Sequence, residues 1–409
     1  ELNTRQGKLF ADLSIGADVA GAKALLSNKG IAFRGVTLMG SGFWIKPGDI
    51  LIRQEPDVIK PLRNGKDLTA TPRGVFAIDF FGLTLDQAKN QFPASFQRVL
   101  NGVKPERDQS KRSTYQAKWW LFAEARPDLR AAKAGLPRYL ATSMTAKHRF
   151  FQFLDENILP DQGIVAITIA DAFALGILST RVHTVWALAS GGRLGVGNDP
   201  RYNHSRCFET FPFPAASDTQ IARIRDLAEQ IDAHRKRQQA QHPSLTLTGL
   251  YNVLDALRRE TPLTPKDKTI HEQGLVSLLR ELHDELDTAV FAAYGWGDLA
   301  DPLIGCPGAT CPWPDKPAAQ LEAEEALLTR LVALNAERAA EEAQGQIRWL
   351  RPEYQHPEPA SASAAAQQAA DLDQPAPPPT PATANKPKAF PAARAGMREQ
   401  IAAVRAALG

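Results

Sequence analysis

Residues 191–214 read GGRLGVGNDPRYNHSRCFETFPFP, and the chain changes character on either side of them. The stretch opens as a glycine-rich loop. It then presents Arg193, Asn198, Asp199, Arg201, Tyr202, Asn203, His204, Ser205 and Arg206, and closes on the apolar plug Phe211-Pro212-Phe213-Pro214. Such side chains match the edges of base pairs: Arg forks to guanine, Asn to adenine, and a carboxylate accepts from cytosine. The two prolines make the exit from the loop rigid. Composition alone also fits an ordinary polar surface loop, so the reading depends on the flanks.

Before the plug the pattern is mixed. Segments 31–38, 50–53, 74–81, 137–142, 149–154 and 164–169 read as strands, and 18–26 and 85–100 have helical character, the latter interrupted at Pro93. Residues 118–125, KWWLFAEA, form a strand or a buried turn, with one tryptophan in the core and one at the surface as the ordinary outcome. Residues 171–188 form an amphipathic helix, with Phe173, Ile177, Leu178, Val182, Val185 and Trp186 at three- and four-residue steps. After the plug the chain is helical. Ser217-Asp218 caps a helix running to Gln241, and 250–260, 269–294 and 318–342 follow. The fold class is therefore an α/β (α+β) domain over residues 1–214 followed by an all-α domain over 215–356. Residues 357–391, rich in Ala, Pro, Ser and Gln, bury too little to fold and read as a linker, with a terminal helix in 392–409.

The net charge of +3 over 409 residues conceals an asymmetry. Residues 1–214 carry 28 Lys/Arg against 19 Asp/Glu, about +9, and residues 215–409 carry 20 against 26, about −6. Such a split points to a polyanion on the basic half. Between Arg98 and Arg149 there are 12 Lys/Arg and four Asp/Glu. Lys104, Arg107, Lys111, Arg112, Lys147 and Arg149, with Arg63 and Lys66 around the turn at Gly65, are the candidate phosphate holders, since each phosphate neutralised releases counterions.

Other chemistries find little support. Gly40-Ser41-Gly42 lacks the lysine-serine of a phosphate loop, and Gly195-Val196-Gly197 lacks the strand and helix of a dinucleotide fingerprint. His271 and His283 lie on different helical faces, and Cys306 and Cys311 have no zinc spacing, so no metal site is read. His183 reads as a core or capping histidine. No nucleophile triad or carboxylate pair stands out, so no catalytic residue is assigned. Three cysteines make no disulfide framework and suggest a reducing cytoplasm. No stretch has the length of a membrane span, no secretory signal is present, and the start inside a domain without Met suggests a fragment.

Several stretches together carry a family resemblance. They are GVTLMGSGFWI (35–45), IKPLRNGKDL (59–68), VKPER (103–107), KWWLF (118–122), LPRYLATSMTAKHRFFQFL (136–154) and LGILSTRVHTVWALASGGRLGVGNDPRYNHSRCFETFPFP (175–214). IHEQGLVSLLRELHDELDTAVFAAYGW (270–296) and LNAERAAEEAQGQIRWLRPEYQ (334–355) continue it. The chain resembles the target-recognition and C-terminal helical regions of large class I S-adenosylmethionine-dependent adenine-N6 DNA methyltransferases. These include restriction–modification proteins of the type IIG/IIL kind and related phage-defence methylases.

The resemblance implies that the segment before the plug reads bases, with Asp199, Arg201, Asn203, His204 and Arg206 at the matching positions and Arg193 and Tyr202 beside them. It implies double-stranded DNA as partner. The family's cofactor-binding glycine motif and its Asn/Asp-Pro-Pro-Tyr/Phe adenine motif do not occur here, and the prolines at 377–379 lie in the linker. The implied division is that S-adenosylmethionine and catalysis belong to a missing methyltransferase domain or subunit, and that this chain binds no cofactor. A protein-interaction scaffold with an incidental basic face is the alternative.

Overall fold

The computed structural model describes residues 8–9, 15–193 and 199–357. Two four-stranded sheets carry the first half. One orders β1 (Ala32–Arg34), β8 (Ile164–Ile167), β5 (Arg138–Ser143) and β6 (Gln152–Asp155), antiparallel throughout. The other orders β2 (Trp44–Ile45), β4 (Phe76–Ile78), β3 (Ile59–Arg63) and β7 (Leu159–Pro160), with the last pair parallel. The sequence of β8, Ile-Val-Ala-Ile, has no polar alternation, which is what a strand covered on both faces requires. Val165 and Ile167 face one apolar cluster, Ile164 and Ala166 the other.

Helix α1 (Gly65–Thr69) follows β3 and packs Leu68 against the first sheet, while α2 (Leu85–Gln91) and α3 (Pro93–Gly102) accompany the second. Pro93 divides the helical segment as its sequence implied, because it lacks an N–H and starts α3 at the first turn. Two local expectations fail. Residues 50–53 begin the one-turn helix Leu51–Gln54, not a strand, with the Asp49 carboxylate accepting from the Leu51 N–H at 3.1 Å. Residues 18–26 hold the 3-10 turn Val19–Gly21, which the Asp18 side chain caps, and the start of a second at Leu26–Asn28, not a helix.

The apolar segment 171–188 is two helices, α4 (Ala172–Leu178) and α5 (Arg181–Ser190), bent by 62°. The bend has a tertiary cause: Asp287, 106 residues away, accepts the Arg181 N–H at 2.8 Å and caps the new helix start. No single helix among the described residues is long and apolar enough to cross a membrane. The bent pair passes on composition, and all of α4 but the half-buried Phe173 is buried inside the protein.

Beyond the plug come α6 (Asp218–Gln241), α7 (Leu247–Arg258), α8 (Pro265–Gly274), α9 (Val276–Tyr294) and α10 (Ala318–Ala343). Ser217 and Gln220 form the capping box that starts α6. The expected single helix over 269–294 is broken at Leu275, which takes a left-handed φ of 44°. Gly274 precedes it because a Cβ there would lie 2.1 Å from Leu250 Cδ2.

The fold class is thus α+β followed by helices. Phe150, Val182, Trp186 and Phe211 share one apolar cluster with Leu227, Leu254, Leu286 and Leu327, so a common core spans the plug. Each such burial stabilises by about 1.5–3 kcal/mol. Residues 1–356 form one compact unit. The expected linker beyond Pro357 and the terminal helix lie outside the described residues.

Candidate nucleic-acid interface

The polar segment is mounted on a short antiparallel ribbon, β9 (Gly192–Arg193) with β10 (Pro200–Arg201), pairing Gly192 with Arg201 and Arg193 with Pro200. The ribbon is tied to the end of β5. Thr145 bridges to Arg201, and the Tyr202 N–H donates to the Met144 carbonyl at 2.7 Å. The chain then turns through a π-helical segment, His204–Phe208, started by Asn203.

Alternation along this extended stretch sorts the side chains. Asp199, Asn203 and Arg206 are exposed and Arg201 is half-buried. Asp199, Arg201 and Arg206 make no side-chain hydrogen bond or ion pair among the described residues. The Asn203 side-chain Oδ1 accepts from the Ser205 N–H at 3.1 Å and hydroxyl at 2.8 Å, which leaves its side-chain NH2 unpaired among the described residues. His204 is half-buried and pairs with Glu209 at 3.1 Å. The Arg193 side chain and residues 194–198 lie outside the described residues.

Tyr202 corrects the sequence reading. It is 1% exposed, and its hydroxyl meets His183 Nε2 at 2.9 Å, so its ring cannot reach a base. It follows outward Arg201 and precedes outward Asn203, so the strand period turns it inward. There it packs edge-on against Phe151 and near His183.

Arg149 and Arg107 are the second correction. Arg149 is 3% exposed and cannot hold a phosphate. Its guanidinium donates to the Thr142 hydroxyl and to the carbonyls of Ser143 and Pro200, and stacks over Tyr202 at 5.0 Å. It therefore clamps the end of β5 to the start of β10. Burial pulls its pKa down to about 10, still ionised at neutral pH. Arg107 is 1% exposed and donates to the carbonyls of Met39, Leu38 and Leu121. A sequence shows both as charges in a basic run; only the fold reveals that they are buried against backbone carbonyls.

The remaining cations reach the surface. Lys66 and Lys111 are exposed with no side-chain hydrogen bond or ion pair among the described residues. Arg112 is exposed and bonds the Tyr115 hydroxyl at 2.7 Å. Lys147 is exposed and bonds Asn252 at 2.6 Å, half-buried Lys104 pairs with Asp108 at 2.6 Å, and half-buried Arg63 donates to its neighbour's carbonyl.

The support beneath the ribbon is buried and neutral apart from Arg149. His183 sits in the core, as its sequence setting suggested, and burial first and Arg149 second push its pKa down to about 3. His148, held at 2.9 Å by both Thr310 and Asn252, is pushed to about 4 by burial. Cys207 is buried and its thiol is raised by burial. Phe211 of the plug meets the His183 ring at 4.4 Å, so the plug and the Tyr202 stretch share one anchor. Trp119 is buried, and half-buried Trp120 donates to the Leu83 carbonyl, the expected division between core and surface.

Residues 58–215 match the family described as MmeI, target recognition domain. Over 89 residues the chain is 36% identical to DNA methyltransferase A of Bacillus subtilis (strain 168), covering 22% of this chain and 9% of that protein. The structure of the type IIL restriction–modification enzyme MmeI in complex with DNA is similar in fold. It has a TM-score of 0.57 and 19% identity over 80% of this chain and 38% of that one. This chain thus spans well under half the length of either relative. Residues 58–215 are therefore similar to the target recognition domain of that family.

Proposed function

We propose that this chain selects the DNA sequence on which an adenine-N6 methyltransferase acts, as part of a restriction–modification or phage-defence system in the cytoplasm. One observation carries the reading. Inside the family match, β10 and the turn that follows it leave Asp199, Asn203 and Arg206 exposed and Arg201 half-exposed, while Arg149 and Tyr202 clamp the buried side. Rigidly mounted, unpaired donors and acceptors are what base-edge recognition needs, and one good bidentate contact discriminates by about 1–3 kcal/mol. The exposed lysines and Arg112 set register on the phosphates. S-adenosylmethionine and the transfer step belong to a methyltransferase domain or subunit outside these residues.

Two measurements test this. Affinity of the chain for duplex DNA falls as salt rises; a flat profile favours a docking scaffold instead. In an enzyme that joins this chain to its methyltransferase domain, Arg201→Glu and Arg206→Glu change the sequence that is methylated. Unchanged specificity and rate in both variants would falsify the assignment of the reading strand.

A further inference from the structure

We infer that an open cleft at the foot of the reading strand is a seat for one backbone phosphodiester of the bound duplex, held by Arg34 and Lys66. This deepens the reading above and rests on it. The cleft, of about 440 Å³, lies between β1, α1 and the end of β5, and Arg34, Lys66, Thr69, Met144, Thr145 and Gln162 are among its lining. Thr145 is the residue whose backbone bridges to Arg201, so the cleft and the reading strand share a wall.

The chain builds this place by close approach. At Gly35 a Cβ would sit 2.2 Å from the Asp161 carbonyl, so only glycine lets β1 pass the 160–163 turn. That passage brings Arg34 over Gln162. Its Nε donates to the Gln162 carbonyl at 2.9 Å, and its second amino group reaches the Gln162 side chain only at 3.5 Å. The guanidinium is thereby oriented at the rim with donors to spare. Lys66 faces the same cleft with its ammonium unpaired among the described residues.

Charge and donor type select the ligand. No carboxylate lines the cleft. The two nearby acids are occupied: Asp67 accepts from the Asn64 N–H and from the backbone and guanidinium of Arg73, and Asp161 accepts the Gly163 N–H at 2.6 Å. Behind the wall, the buried Arg149 cation bonds only neutral oxygens and adds positive potential. Two cations with the hydroxyl of Thr145, and no aromatic ring, suit an oxygen anion that only accepts, rather than a base. A reader lying in a groove is bordered by phosphates on both strands, and a contact beside the strand fixes its register.

The test is anisotropy of the chain with a labelled 20-base-pair duplex across a salt series. Arg34→Gln and Lys66→Gln each lower the slope of log affinity against log salt by about one, and the double variant by about two. Lys89→Gln, at an exposed position on α2, leaves the slope as it was. Melting temperatures of the variants show that folding is intact. A wild-type chain with no salt-dependent binding defeats the recognition reading itself. A salt-dependent wild type whose Arg34 and Lys66 variants keep the full slope overturns the seat alone. Titration with inorganic phosphate separates the sources: saturable uptake that displaces no duplex assigns the cleft to a free anion and also overturns the inference.

Discussion

The buried arginines of the two halves do different work. In the recognition half, Arg107 and Arg149 are almost wholly enclosed and bond only carbonyls and a hydroxyl. In the helical half, Arg235 has Asp232 at 3.2 Å and Arg258 pairs with Asp284. Arg181, on α5 but turned toward that half, has Glu324 at 3.9 Å and lies beside buried Asp287. The first kind holds irregular backbone, where loops leave carbonyls unpaired. The second kind faces carboxylates as well, while still donating to carbonyls: Arg181 to Cys306 and Pro307, Arg235 to Phe151. Struts are thus common to both halves, and the helical half adds the role of counterion.

That contrast can be broken by measurement. The largest effect belongs to Arg181→Met, which removes the cation beside buried Asp287 and costs about 3–5 kcal/mol in urea unfolding at pH 7. Burial already raises the Asp287 pKa above its unfolded value. Its stabilising proton is therefore present below the unfolded pKa and lost as pH rises through the folded one. Without Arg181 the folded pKa rises further, so the penalty grows as pH climbs through the folded pKa of the wild type.

Arg149→Met leaves carbonyls rather than a carboxylate, and costs less, about 1–3 kcal/mol. A penalty as large as that of Arg181→Met, or one that climbs with pH in the same way, would erase the distinction between strut and counterion. Discrimination between duplex sequences also weakens in this variant, because Pro200 loses its clamp.

Next in size is the acid response of the buried histidines. His148 and His183 have folded pKa values of about 4 and about 3, below the ordinary 6.5. Their contribution is complete above pH 6.5 and is lost as pH falls toward those values, by up to about 1.4 kcal/mol per pH unit for each. His148→Gln makes the curve of stability against pH shallower in that window by one such increment; an unchanged curve means that His148 takes no part. The smallest effect is Lys104→Ala, which removes a solvent-screened pair with Asp108 and moves thermal stability by less than about 0.5 kcal/mol.

Much of this was legible because the signals were local. The alternation around 74–81, the continuous apolar strand at 164–167, the cap at Ser217 and the Pro93 break all act within a few residues. The candidate site was legible as a segment but not as individual roles. Asp199, Arg201, Asn203 and Arg206 stand outward as the base-reading idea needs, whereas Tyr202, Arg107 and Arg149 proved to be buried supports. Arg34 was missed because a single charge in an alternating strand looks like any solvated residue.

By itself the sequence determined the order of a mixed half and a helical half, the rigid plug between them, and the placing of a polar segment just before that plug. These depend on propensity, period and capping, which are properties of neighbours in the chain. Only the tertiary structure decided which arginines are enclosed, that α4 and α5 bend apart, that Leu275 breaks a helix, and that one core spans Pro214. Each of those outcomes rests on a packing or capping partner from another element, such as Asp287 at the start of α5 or Leu250 against Gly274, and local chain physics carries no information about such partners.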